Sequence, residues 1–203
     1  MLHFISKNIA AFLFDKDSDY PLEVYTYGIE LMISSLIGMT LIIIIGLITN
    51  RLFEAIVYIV TLFAVRSFSG GYHANSYLKC NIIYMTAFVA VFLLNDFILE
   101  YLNFAKYYIY GFILLSILAV LFKFSPVENK NKKIDEKDRK KFKIISIISV
   151  LMFSVIAILV NTVIGKNELL IVFPVFCVIE ISMLFDILLK KGGTKNEISK
   201  GND

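Results

Sequence analysis

A thiol and an imidazole are the smallest set of groups for nucleophilic catalysis: the thiolate attacks, and a neighbouring imidazole makes it available near neutral pH. This 203-residue chain has two cysteines and two histidines. One of each, His73 and Cys80, falls in a single polar stretch, residues 66–80, which also carries Arg66 and the Gly70-Gly71 pair. His73 and Cys80 are seven positions apart. On a straight helix they would share a face but be separated by about 10.5 Å of rise, too far for a ring-to-sulfur hydrogen bond. Gly70-Gly71 can take backbone shapes closed to other residues. The sequence therefore predicts a bend or loop that draws the pair together, with backbone amides of the turn available to hold an oxyanion. The plainer alternative is an interfacial histidine beside a cysteine that lines a helix.

The elements that must position this stretch are greasy. The chain is 58% hydrophobic and only 18% charged, with a mean hydropathy of +0.77. Several uncharged runs reach the roughly 20 residues that a helix needs to cross a bilayer. They do not alternate in polarity as outer-membrane strands do. The expected class is all-α: one polytopic membrane domain over residues 1–203, with about six transmembrane helices and an amino-terminal interfacial helix. The start does not read as a secretory signal, because acids follow the apolar stretch and no small-residue cleavage site appears. Two cysteines make no disulfide framework.

Residues 2–14 have apolar positions near a helical period but are too short to span, so residues 1–20 read as an interfacial amphipathic helix, or else as a frayed terminus. Asp15 to Asp19 form a polar break, and Asp19-Tyr20-Pro21 looks like a helix start. The first span is predicted over 23–48 and ends at Thr49-Asn50-Arg51. The second apolar run, 52–65, rises only about 21 Å against a hydrocarbon core of roughly 30 Å. It must borrow length from the His/Cys stretch or be partly re-entrant, and either way His73 and Cys80 lie at or just inside a membrane surface. Further spans are predicted over 81–99, 104–122, 144–164 and 169–189. A charged linker covers 123–143, and 190–203 reads as a flexible polar tail.

Orientation follows from Lys and Arg. The linker holds Lys130, Lys132, Lys133, Lys140 and Lys141 among other bases, while the loops near Arg51, Lys106 and Lys166 are base-poor. The linker, both termini and the His/Cys stretch are therefore expected on the cytoplasmic side. Topology alone explains the basic linker; docking of an acidic peptide tail or of anionic lipid is the functional reading.

Arg66, the run Gly70-Gly71-Tyr72-His73 and Cys80 resemble the signature of the accessory gene regulator B (AgrB) family, membrane cysteine endopeptidases of Gram-positive quorum sensing. Tyr27-Gly28-Ile29-Glu30 resembles that family's first-span motif, Ser125-Pro126-Val127-Glu128 the motif opening its charged linker, and Glu180 sits where it tends to carry an acid in the last span. The resemblance covers nearly the whole chain. It implies that Cys80 is the nucleophile and His73 its base. The expected reaction removes the carboxy-terminal tail of an AgrD-type propeptide through a thioester on Cys80 and closes a thiolactone or lactone ring. It also implies a bacterial cell membrane as the location. Expected partners are the propeptide, membrane lipid and a second copy of the chain, with no nucleic acid.

Glu30 is expected at about the level of His73, where it could orient the imidazole or pair with Arg66, or simply be solvated at the interface. Arg66 could hold Glu30 or a substrate carboxylate, or snorkel. Glu180 lies mid-span, where an acid usually has a partner; with the linker lysines it is a candidate for substrate binding. Asp96 and Asp186 read as interfacial, Cys177 as a packing residue and His3 as a surface residue. No cofactor or metal is expected, since there is no phosphate loop and no zinc spacing. A different class remains open, a non-catalytic membrane carrier or export component for a small peptide, although the internal repeat common in carriers is missing.

Overall fold

The computed structural model describes residues 2–14, 21–72, 76–128 and 135–200, the last ten for backbone only. His73, Asp15 to Asp19, Lys130, Lys132 and Lys133 lie outside the described residues. Among the described residues seven α-helices follow one another: α1 Leu2–Leu13, α2 Leu22–Ile48, α3 Leu52–Ser69, α4 Tyr77–Tyr101, α5 Lys106–Phe124, α6 Glu136–Ile164 and α7 Val172–Lys200. Short 3-10 turns, Asn103–Ala105 and Glu168–Ile171, lead into α5 and α7. Helices α2 to α7 are each long and apolar enough to cross a membrane, and no strand forms among the described residues. The chain is a multi-pass membrane protein with a short amino-terminal helix, as its sequence predicts.

α2 starts after Pro21, whose fixed φ and missing N–H suit a helix entry. Its buried residues fall at every fourth position: Thr26, Glu30, Ser34, Gly38, Ile42 and Gly46. Small side chains on one face let helices approach closely in lipid. A Cβ on Gly46 would lie only 2.6 Å from that of Ala55. α7 is the central helix, with 56% of its apolar window buried against 22% for α2, α4 and α5. Phe173, Phe176, Ile179 and Met183 fill the middle of the bundle, and Phe173 stacks on Tyr110 of α5 at 4.6 Å between ring centroids.

The second span does borrow from the polar stretch, taking in Arg66 to Ser69. Even so, α3 has 18 residues against 27 in α2, a rise of about 27 Å against about 40 Å. The two are joined by a tight turn at one end, so at the other end α3 stops about 13 Å short of its neighbour.

Three boundaries differ from those expected. α7 continues to Lys200, past the expected span end at residue 189 and into the stretch read as a flexible tail. α4 begins at Tyr77, not at residue 81, because the Ser76 hydroxyl caps it by accepting from the Lys79 N–H at 3.3 Å. α6 begins at Glu136, two turns into the charged linker. Its Glu, Lys and Arg residues are good helix formers, and Glu136 and Asp138 in the first turn complement the helix dipole.

The carboxylates near span ends are more than interfacial. Asp96 pairs with Arg51 at 2.6 Å and joins α4 to the turn after α2. Asp186 is buried and pairs with Lys190 at 2.6 Å. Arg139 reaches Glu128 at 3.0 Å, and Lys143 donates to the Phe122 carbonyl. Much of the described linker is thereby tied to the ends of α5 and α6.

Candidate active site

The polar stretch folds around the end of α3. Gly70 has φ 77 and Gly71 φ 138, both in the region that disfavours side chains. Space excludes side chains here too. A Cβ on Gly70 would collide with the Val127 carbonyl, and one on Gly71 would lie 2.9 Å from Ser182 Oγ. The Val127 N–H donates to the Ser69 carbonyl at 2.8 Å, so the start of the linker is bound to the end of α3. Tyr72 continues the turn along α7, its N–H donating to the Ser182 carbonyl at 3.1 Å. Its ring meets Phe185 edge-on at 5.0 Å.

Cys80 is not in the loop. It lies in the first turn of α4, its N–H bonded to the Ser76 carbonyl at 3.0 Å, and it is half-buried. Ser76 is extended (φ −145, ψ 147), so no continuous helix joins positions 73 and 80. The expected approach of His73 to Cys80 lies outside the described residues.

Arg66 gathers the described part of the site. Its Nη1 donates to Tyr84 Oη at 2.7 Å and its Nη2 to the Tyr72 carbonyl. Its Cζ stands 5.0 Å from the centre of the Tyr84 ring, a cation–π placement. Tyr84 is one turn on from Cys80 on the same face of α4, and both line the same cavity. Arg66 and Tyr84 form a partition between two cavities. One, of about 450 Å³, reaches Ser35, Ser67 and Asn81. The other, of about 430 Å³, reaches Cys80.

Glu30 and Arg66 are not brought together. One Glu30 oxygen takes a hydrogen bond with His3 Nδ1 at 2.6 Å, and the other accepts from Tyr77 Oη at 2.7 Å. Glu30 thus pins α1 to α2 and α2 to the first turn of α4. His3 is therefore an anchor, although its side chain stays largely exposed. Glu180 accepts from Ser116 Oγ at 2.5 Å, in the α5–α7 contact, and lines neither cavity. Lys140 and Lys141 lie exposed on α6.

Sequence reasoning missed Tyr84, Tyr77 and Ser182. Tyr84 carried a signal, since a residue four on from Cys80 must share its helix face. Ser182 carried none: only the folded chain brings it to Tyr72. Among the described residues no cluster of His, Cys, Asp and Glu could hold a metal ion.

A family profile described as accessory gene regulator B matches residues 4–189. Two Clostridium perfringens proteins named for their likeness to AgrB are 30% and 31% identical over 121 residues, 59% of this chain. The chain spans about half the length of those two relatives, 56% of each. A similarly named Listeria innocua protein is 29% identical over 180 residues, 87% of this chain and 84% of its own length. No solved structure matches the chain.

Proposed function

Because the chain belongs to the accessory gene regulator B family, we propose that it is a membrane cysteine endopeptidase that cuts the tail from an AgrD-type propeptide and closes the remainder into a thiolactone or lactone. Family membership supports a part in autoinducer processing. The observation that carries the finer reading is the position of Cys80. It sits in the first turn of α4, on the wall of a cavity whose polar end is Arg66 and Tyr84.

In this reading His73 takes the proton from the Cys80 thiol. The thiolate attacks the scissile carbonyl, a carbon–sulfur bond forms, and the carbon–nitrogen bond breaks. The departing amine leaves with the proton held by the imidazole. Partial positive charge at the amino end of α4 favours negative charge at this level, and Arg66 steadies Tyr72, the residue before His73 in the chain. The acyl group now rests on Cys80 as a thioester, which retains the bond energy for ring closure. A thiol or hydroxyl within the acyl chain, deprotonated by the same imidazole, attacks the thioester carbon. The ring closes and Cys80 leaves as thiolate. Water would hydrolyse the thioester, so a site with apolar walls sunk below the interface suits the chemistry. Glu30 holds the first turn of α4 through Tyr77, and Gly70 and Gly71 permit the turn. Lys140 and Lys141, with Lys130, Lys132 and Lys133, meet an acidic tail.

The direct test is to replace the ring-closing residue of the propeptide by Ala. A hydroxylamine-labile adduct of the amino-terminal product should then accumulate on Cys80, read by mass spectrometry. An adduct on Cys177, or cleavage with no adduct on either thiol, would overturn the reading.

The proposal places the linker, both termini and the site on the cytoplasmic face of the cell membrane. A single reporter cysteine at Lys166 should react with an impermeant maleimide added to intact cells, and one at Lys133 should react only after lysis. The reverse pattern would put the site outside.

A further inference from the structure

Cys80 opens onto only one of the two cavities beside Arg66, and that cavity has two unlike ends. From the thiol it follows one face of α4 through Ile83, Ala87 and Ala90, residues three, seven and ten on from Cys80. Ala90 is about 15 Å along the helix from the level of the thiol. The facing wall is α7, with Val178, Ile181 and Phe185. The two alanines leave the room between the helices. At about 430 Å³ the cleft falls in the range that encloses small ligands, roughly 300–1,000 Å³.

The thiol end is different. Arg66, Tyr72, Tyr84 and Ser182 close it. Arg66 spends both terminal nitrogens on Tyr84 and Tyr72, while its buried Nε has no hydrogen-bond partner among the described residues. A buried donor left unmade is costly. What fills this cleft should be apolar along its length and polar where it meets the thiol, beside the Arg66 guanidinium and the Tyr84 and Ser182 side chains. A lipid acyl chain meets the first condition, and meets the second only with its ester carbonyl drawn in beside the thiol. A peptide with bulky apolar side chains meets both, with those side chains in the cleft and a backbone carbonyl at Arg66.

We propose that the α4–α7 cleft binds the peptide segment on the acyl side of the scissile bond and selects bulky apolar side chains there; this rests on Cys80 being the nucleophile. The proposal makes this cleft the specificity pocket and leaves the charged tail to the linker on the other side of the bond.

The test needs no knowledge of the natural substrate. The full chain, carrying Cys177→Ala so that one thiol remains, is placed in lipid nanodiscs. It is reacted with the acetyl-phenylalanyl, acetyl-leucyl, acetyl-glycyl and acetyl-aspartyl chloromethyl ketones. In each case the Cys80 thiolate displaces chloride and a carbon–sulfur bond forms. Rates are divided by those of the same reagents with free N-acetylcysteine. The Phe and Leu reagents should react about tenfold or more faster than the Gly and Asp reagents, the scale of discrimination an apolar pocket gives. Ala87→Phe and Ala90→Phe should each reduce that preference to within about twofold, while iodoacetamide still labels Cys80 at the native rate.

Equal normalised rates across the series would overturn the proposal. So would a preference that survives both substitutions, or reaction with iodoacetamide but with none of the chloromethyl ketones. A preference seen in detergent and lost in nanodiscs would assign the cleft to lipid. Any of these can occur while Cys80 still processes propeptide, so failure here is distinct from failure of the catalytic assignment.

Discussion

Cys80→Ala should abolish propeptide cleavage, with the protein still inserted and the peptide still bound: this is the largest effect expected of any single substitution. Removing the nucleophile from a unit that acts together costs on the order of 10⁶ in rate, below detection in a membrane assay. Cys80→Ser should be nearly as inactive, because an alkoxide is far harder to generate than a thiolate. His73→Ala should lose about 10²- to 10⁴-fold, the usual contribution of a positioned base. Cys177→Ala should be near neutral, since that thiol is half-buried in α7 and lines neither cavity. The measurement is the yield of cut tail from isolated membranes, with insertion checked by protease protection. Persistent cleavage by Cys80→Ala would end the cysteine-endopeptidase reading.

Outside the Cys80–His73 pair, Arg66→Ala should produce the largest loss. Two charge-assisted hydrogen bonds disappear at once, those to Tyr84 Oη and to the Tyr72 carbonyl. Each such bond contributes about 1.5–3 kcal/mol, and the Tyr72 carbonyl belongs to the turn that leads directly into His73. A combined loss of about 3 kcal/mol in the reacting arrangement corresponds to a rate about 100-fold lower. Arg66→Lys is not a conservative exchange here. A single ammonium lacks the planar fork that reaches both partners, so it should recover only part of the activity. A positioning role predicts a fall in kcat with little change in KM, whereas a role in holding the substrate's tail would raise KM. Native turnover by Arg66→Ala would remove Arg66 from the site.

The spans were legible because bilayer thickness imposes a length on apolar runs, and the run after Arg51 was visibly too short to cross unaided. The start of α4 is hidden in the sequence because its first turn is as polar as a loop. Ser76 is a capping residue, and Tyr77 to Cys80 are compatible with a helix once capped. Glu30 was recognised as an acid needing a partner, but its partners come from two directions that spacing along the chain does not encode. His3 arrives from an element packed on α2, and Tyr77 from a helix whose start had been set four residues too late. The Gly70-Gly71 pair announces freedom to turn. Its second role, admitting the Val127 carbonyl and the Ser182 side chain, depends on tertiary neighbours and is invisible in sequence.

The shortness of α3 has a consequence for the host lipid. A helix about 27 Å long among longer ones cannot match a hydrocarbon layer of roughly 30 Å, and the mismatch is relieved by local thinning or tilt at a small cost per ångström. The Gly70-Gly71 turn sits at the end where α3 falls short, so it takes most of that mismatch. Longer acyl chains or stiffer membranes would bury the turn deeper and starve it of water. Shorter chains would bring it to the headgroups. Acyl-chain length thereby becomes a control on how exposed this turn is.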